Sequence, residues 1–141
     1  MRFLQLMVLG LSLSFSHFAK ASDQKLASVE ISIDDKLLAK NVGVRTLFVI
    51  VYDTESKMPM PFGAMKIDLK ADAKGSIYKG DLTTANIQRM NKDAPLPKTI
   101  RIKARLDKDG SAGMDQAGDL VGIVEKLNVG DKTKITINTA I

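Results

Sequence analysis

Apolar and polar residues alternate through much of this 141-residue chain. Val29, Ile31 and Ile33 are separated by Glu30 and Ser32, the pattern of a strand with one buried face, because successive side chains of extended backbone point to opposite sides. Asp34 and Asp35 precede Lys36-Leu37-Leu38-Ala39-Lys40, which predicts one or two helical turns capped by an Asp carboxylate and ended by Gly43. Thr46 to Tyr52 is an unbroken β-branched and aromatic run, suited to a central strand covered on both faces.

Asp53 to Pro61 contains Met58-Pro59-Met60-Pro61 and reads as a loop, since proline cannot donate to a ladder. Alternation resumes from Phe62 to Leu69, and Lys74-Gly75 marks a turn into a strand over Ser76 to Leu82, so these two are expected to form a hairpin. Thr83 or Thr84 in a capping position, with Ile87 and Met90 three apart, predicts a short helix over Thr83 to Met90. Beyond Pro95 and Pro97, Ile100, Ile102, Ala104 and Leu106 share one face of a strand; Arg101, Lys103 and Arg105 form a basic stripe on the other, expected to be solvated or to meet an acidic partner. Asp109-Gly110 opens a loop running to Gly118, with Asp119 expected to bond to the loop backbone. Leu120 to Val124 and Lys132 to Asn138 are the last strands. About seven short strands at these spacings define an all-β, antiparallel sandwich of Greek-key type with one or two short helical turns.

The first 21 residues stand apart. Arg2 supplies a positive start, Phe3 to Phe18 is mostly apolar, and Ala19-Lys20-Ala21 is a small-x-small site, so 1–21 is expected to be a signal peptide cleaved after Ala21, leaving 22–141 as one periplasmic domain without a membrane span. Losing Arg2 and Lys20 leaves 19 basic against 16 acidic residues, so the formal charge falls from +5 to +3. The charges interleave and aromatics are few, which argues against nucleic acid as a partner. Cysteine is absent from the chain, so an exported fold must be held by packing and backbone pairing.

The block Ala104 to Ala112, followed by Gln116-x-Gly118-Asp119-Leu120-x-Gly122, resembles part of the C-terminal periplasmic domain of the cytochrome c maturation component CcmI (CycH). Thr46-Leu47-Phe48-Val49, Met58-Pro59-Met60-Pro61 and the segment Asp34 to Lys40 extend the resemblance in the same order over almost the whole exported chain. Asp81 to Met90 fits that family's middle section poorly, and its transmembrane and helical-repeat parts have no counterpart here. The resemblance implies a cupredoxin-like sandwich working near c-type cytochrome maturation, with apocytochrome c or a haem lyase component as partner.

Without His17, which leaves with the signal, the chain has no imidazole, thiol or indole. A blue-copper centre needs two imidazoles and a thiolate, and a histidine-based triad cannot be built, so no resident cofactor and no enzymatic activity are expected. Thioethers remain: Met58, Met60, Met65, Met90 and Met114 could bind copper(I), with Met58 and Met60 placing two soft sulfurs close together, while Met65 and Met90 also read as core gap fillers. Asp107, Asp109, Asp115 and Asp119 could act as oxygen ligands for calcium, but their spacing matches no EF-hand. The reading carried forward is a non-catalytic exported binding or adaptor module, with Met58, Met60 and Phe62 as exposed apolar contacts for an envelope protein. The alternatives are a copper(I) handler using Met58 and Met60, and a structural envelope protein.

Overall fold

The computed structural model describes residues 23–43, 46–58, 60–70 and 73–141. The expected signal peptide, 1–21, lies outside the described residues. Among those described, no helix is long and apolar enough to cross a membrane.

Nine strands are described: β1 (Lys25–Ile33), β2 (Thr46–Asp53), β3 (Gly63–Asp68), β4 (Ser76–Thr83), β5 (Gln88–Arg89), β6 (Thr99–Asp107), β7 (Leu120–Asn128), β8 (Lys132–Ile137) and β9 (Thr139–Ala140). They form two sheets, a small one in the order β4-β1-β8 and a large one in the order β5-β3-β2-β6-β7-β9. The protein is therefore an all-β sandwich. One 3-10 helix, Asp35–Lys40, follows β1, and the Asp34 carboxylate accepts a hydrogen bond from the Lys36 amide at its start, as the paired aspartates imply.

The core is built from the inward positions of the central strands. Leu47, Val49 and Val51 of β2 meet Ile102, Ala104 and Leu106 of β6 edge to edge, and together they face Val29, Ile31, Ile135 and Ile137 of the small sheet. Each is almost fully buried, and burying a Leu, Ile or Val side chain contributes about 1.5–3 kcal/mol. Period-2 alternation places these residues inward and leaves Phe48, Ile50 and Tyr52 on the outer face of β2.

Four expectations need correction. β3 and β4 do not form a hairpin: β3 pairs with β2 and β5, whereas β4 pairs with β1, so the chain crosses between sheets after Asp68. The segment Thr83 to Met90 is not helical. Thr83 and Asn86 bond reciprocally, the Asn86 amide to Thr83 Oγ1 and the Thr83 amide to Asn86 Oδ1, and this closed turn leads into β5 instead of a helix. The sandwich is not wholly antiparallel, because β1 and β8 run parallel over Ser28 to Ile33. The two-residue strands β5 and β9, too short to show a periodicity, raise the number from seven to nine.

Candidate functional site

Among the described residues, the outer face of the large sheet carries the most extensive cluster of ion pairs. Arg101, Lys103 and Arg105 of β6 do share that face, opposite Tyr52, Ile50 and Phe48 of β2. They are not an open stripe, however, because Arg105 is only 2% exposed. The loop from Asp107 to Asp119 folds back over it as a strap. Arg105 Nη1 donates to the Gly113 carbonyl at 2.7 Å and to Asp115 Oδ1 at 3.1 Å, while Nε lies 3.1 Å from Asp107 Oδ2 and 4.0 Å from Asp119 Oδ2. The guanidinium also sits over the Phe48 ring, 5.1 Å from its centroid, and Lys103 pairs with Asp115.

The strap's own sequence explains its shape. Asp107 Oδ1 accepts from the Asp109 and Gly110 amides, and Gly110, at φ +74°, takes a left-handed conformation that a side chain would strain. Asp119 ties the far end as expected, Oδ1 accepting from the Lys108 amide at 3.1 Å and Oδ2 from the Gln116 amide at 2.8 Å. The two buried aspartates thus close both ends of the strap while neutralising the arginine beneath it. Burial, the neighbouring Asp109 carboxyl and the charge of Asp119 push Asp107 above the usual carboxylate range, against the pull of Arg105. Burial would also raise Asp115, but hydrogen bonds from Lys103 and Arg105 outweigh it and hold that carboxyl below its ordinary value.

These contacts occupy the carboxylate oxygens of Asp107, Asp115 and Asp119, three of the four aspartates on which the calcium reading depended. Among the described residues no group of three or more acidic or histidine side chains is arranged to hold a metal ion.

Beside the strap the outer face is hollowed into a groove of about 540 Å3. Phe48, Ile50, Tyr52 and Ala64 form its floor. One wall is Pro61 and Met90, at the β3–β5 edge; the other is Ala112, Gly113 and Met114, at the strap's crest. Met114 is 88% exposed and Met90 50%, unusual exposure for side chains this apolar. The Lys103–Asp115 pair closes one side.

The residues singled out in the sequence fare unequally. Met58 and Met60 are exposed, in the loop that leads to the groove wall. Phe62 does not present an exposed contact: it is 7% exposed, packs in the core and carries the Arg89 guanidinium 4.9 Å from its ring centroid. Its place after two prolines resembled a loop, but its amide bonds to the Val51 carbonyl and draws it into the sheet. Arg105 was read as part of an open basic stripe, and Met90 and Met114 as possible copper(I) thioethers; their place in this buried cluster and on the groove walls was what the sequence reading missed. The signal for Arg105 was an arginine at a strand end followed by four aspartates in one loop, and nothing local says that the loop returns.

The fold and this face define a small β-sandwich with a strapped, methionine-rimmed apolar groove. Comparison with protein-family models, curated proteins and solved structures finds no match to the chain.

Proposed function

We propose that this protein is a non-catalytic, exported adaptor that holds an apolar segment of another envelope protein in the groove between Met90 and Met114. The observation that carries the reading is an aromatic and aliphatic floor, part-exposed at Tyr52 and Ala64 and nearly covered at Phe48 and Ile50, between two exposed methionine walls and beside cations already neutralised by the strap. Methionine is unbranched and polarisable, so such walls adapt to varied apolar side chains, and the rigid floor costs little ordering on binding. The charged groups nearby are paired with one another and are poor candidates for acid–base work.

The sequence resemblance supports a cupredoxin-like arrangement and a role near c-type cytochrome maturation, with apocytochrome c or a haem lyase component in the groove and the periplasm as the compartment. Titration of the purified protein with fluorescently labelled apocytochrome c tests this. Met90→Glu with Met114→Glu is expected to weaken binding at least about tenfold, the effect of roughly 1.4 kcal/mol lost by desolvating charge against apolar surface. Binding unchanged in the double variant, or absent in the parent, overturns the reading.

A second reading, copper(I) handling, is favoured by the exposure of Met58 and Met60 on either side of one proline. A copper(I) titration against a competing chelator decides it: affinity no greater than that of Met58→Leu with Met60→Leu removes it.

A further inference from the structure

The small sheet is a strand short on one side. Inward residues Leu47, Val49 and Val51 of β2 are wholly buried under it, yet the next strand outward, β3, keeps its inward Met65 and Ile67 only half covered. Above them the sheet stops at β4. On the opposite side the sandwich is closed, since the chain passes from β8 to β9 and the Asn138 amide bonds to the Val121 carbonyl.

The edge of β4 is chemically defined. The Ser28 amide bonds to Asp131 and the Leu26 carbonyl accepts from Gly130, so the even-numbered residues of β1 face β8 and the odd-numbered ones face β4. Tyr78, Gly80 and Leu82, opposite Ile31, Val29 and Ala27, therefore point their backbone groups at β1. Lys79, Asp81 and Thr83 point theirs outward. The far end of this row is occupied: the Asn86 side chain donates to the Asp81 carbonyl at 2.6 Å and accepts from the Thr83 amide at 2.8 Å, as a neighbouring strand would. Among the described residues, the N–H and C=O of Lys79 and the N–H of Asp81 have no partner.

We propose that this stretch of β4 accepts one extended segment of a partner protein, which completes the small sheet. Its backbone pairs with Lys79 and the Asp81 amide, its inward side chains are apolar and cover Met65 and Ile67, and its outward side chain beside the exposed Lys79 is acidic. A second copy of this chain fits less well. A two-fold axis at Gly80 would set Lys79 opposite Asp81 of the other copy but run its backbone through Asn86. An axis at Tyr78 clears Asn86 but brings the two Lys79 side chains together diagonally. This site is separate from the groove and does not depend on it; a module with both would bridge two segments.

The test uses two capped pentapeptides, the valine–glutamate peptide Val-Thr-Val-Glu-Val and the valine–lysine peptide Val-Thr-Val-Lys-Val, which set neutral threonine beside Asp81 and glutamate or lysine beside Lys79, titrated into the purified protein and followed by amide NMR and hydrogen exchange. The valine–glutamate peptide is expected to shift and protect the Lys79 and Asp81 amides, and to bind about two- to fivefold tighter than the valine–lysine peptide. Lys79→Glu should reverse that preference. Lys79→Pro removes an outward N–H while leaving the β1 ladder intact, and should weaken binding about tenfold. The proposal is overturned if the peptides perturb only the groove, if Lys79→Glu leaves the preference unchanged, or if both amides are protected without peptide while the protein sediments as a dimer. Because Met114→Glu should not affect these readouts, failure here and failure at the groove are distinguishable.

Discussion

Arg105 shows how one side chain organises a region that local pattern describes as surface. It is enclosed by Asp107, Asp115 and Asp119 and capped by Phe48, so removing it leaves two almost fully buried carboxylates without their cation. Arg105→Ala is expected to destabilise the fold by about 3–5 kcal/mol, measured as the shift of a urea unfolding midpoint. Arg105→Lys should recover only part of this, because a single ammonium cannot meet Gly113, Asp107 and Asp115 together. Asp115 gives the strap a pH dependence. Its folded pKa is depressed, so the stability it contributes is present above the ordinary carboxylate value near pH 3.8 and is lost as pH falls through the lower folded value. Asp107, raised by burial, acts in the opposite direction over the range just above pH 3.8. The protection factors of the strap amides, taken against the intrinsic exchange rate at each pH, should therefore fall on acidification below about pH 4, and Asp115→Asn should remove most of that fall. Equal acid dependence in the variant would show that the latch lies elsewhere.

At the scale of elements, the contrast is between what forms a strand and what chooses its neighbour. Alternation at Val29 to Ile33 and Ile100 to Leu106 identified both strands and their inward faces, because burial on one face imposes period 2 regardless of partner. The same pattern in β3 and β4 carried no information on pairing: a seven-residue link from 69 to 75 is long enough either to turn back or to cross to the facing sheet. The Thr83–Asn86 segment looked helical because threonine caps helices, and the same hydroxyl also closes a tight turn when an asparagine stands three residues on. Gly122 is decided at this scale too. A Cβ there would lie 2.3 Å from the Thr136 carbonyl oxygen, where β7 and β8 approach, and backbone cannot yield as a side-chain tip can. Gly122→Ala is expected to cost about 3 kcal/mol, visible as a lowered thermal midpoint. Gly43→Ala, where no atom lies within 4 Å but φ is +79°, should cost about 1 kcal/mol from backbone strain alone.

For the whole molecule, both sheets share one contiguous hydrophobic cluster, with Leu26, Ile31 and Ile137 from one side and Leu47, Ile100 and Leu106 from the other. Unfolding by urea should accordingly be a single transition, with circular dichroism and tyrosine fluorescence giving the same midpoint; separated midpoints would mean the sheets come apart independently. The all-β class and the inward residues of the main strands were determined by the chain itself, because periodic burial is a local property that each strand displays alone. So was the loop at 107–119, whose aspartates and glycines favour turns in any context. Tertiary structure alone decided that this loop lies back across β6, that Arg105 is buried while Lys66 and Lys79 stay in water, and that Met90 and Met114 face each other across one groove. Those outcomes depend on contacts between segments distant along the chain, and the energy of such a contact exists only once the two surfaces have met.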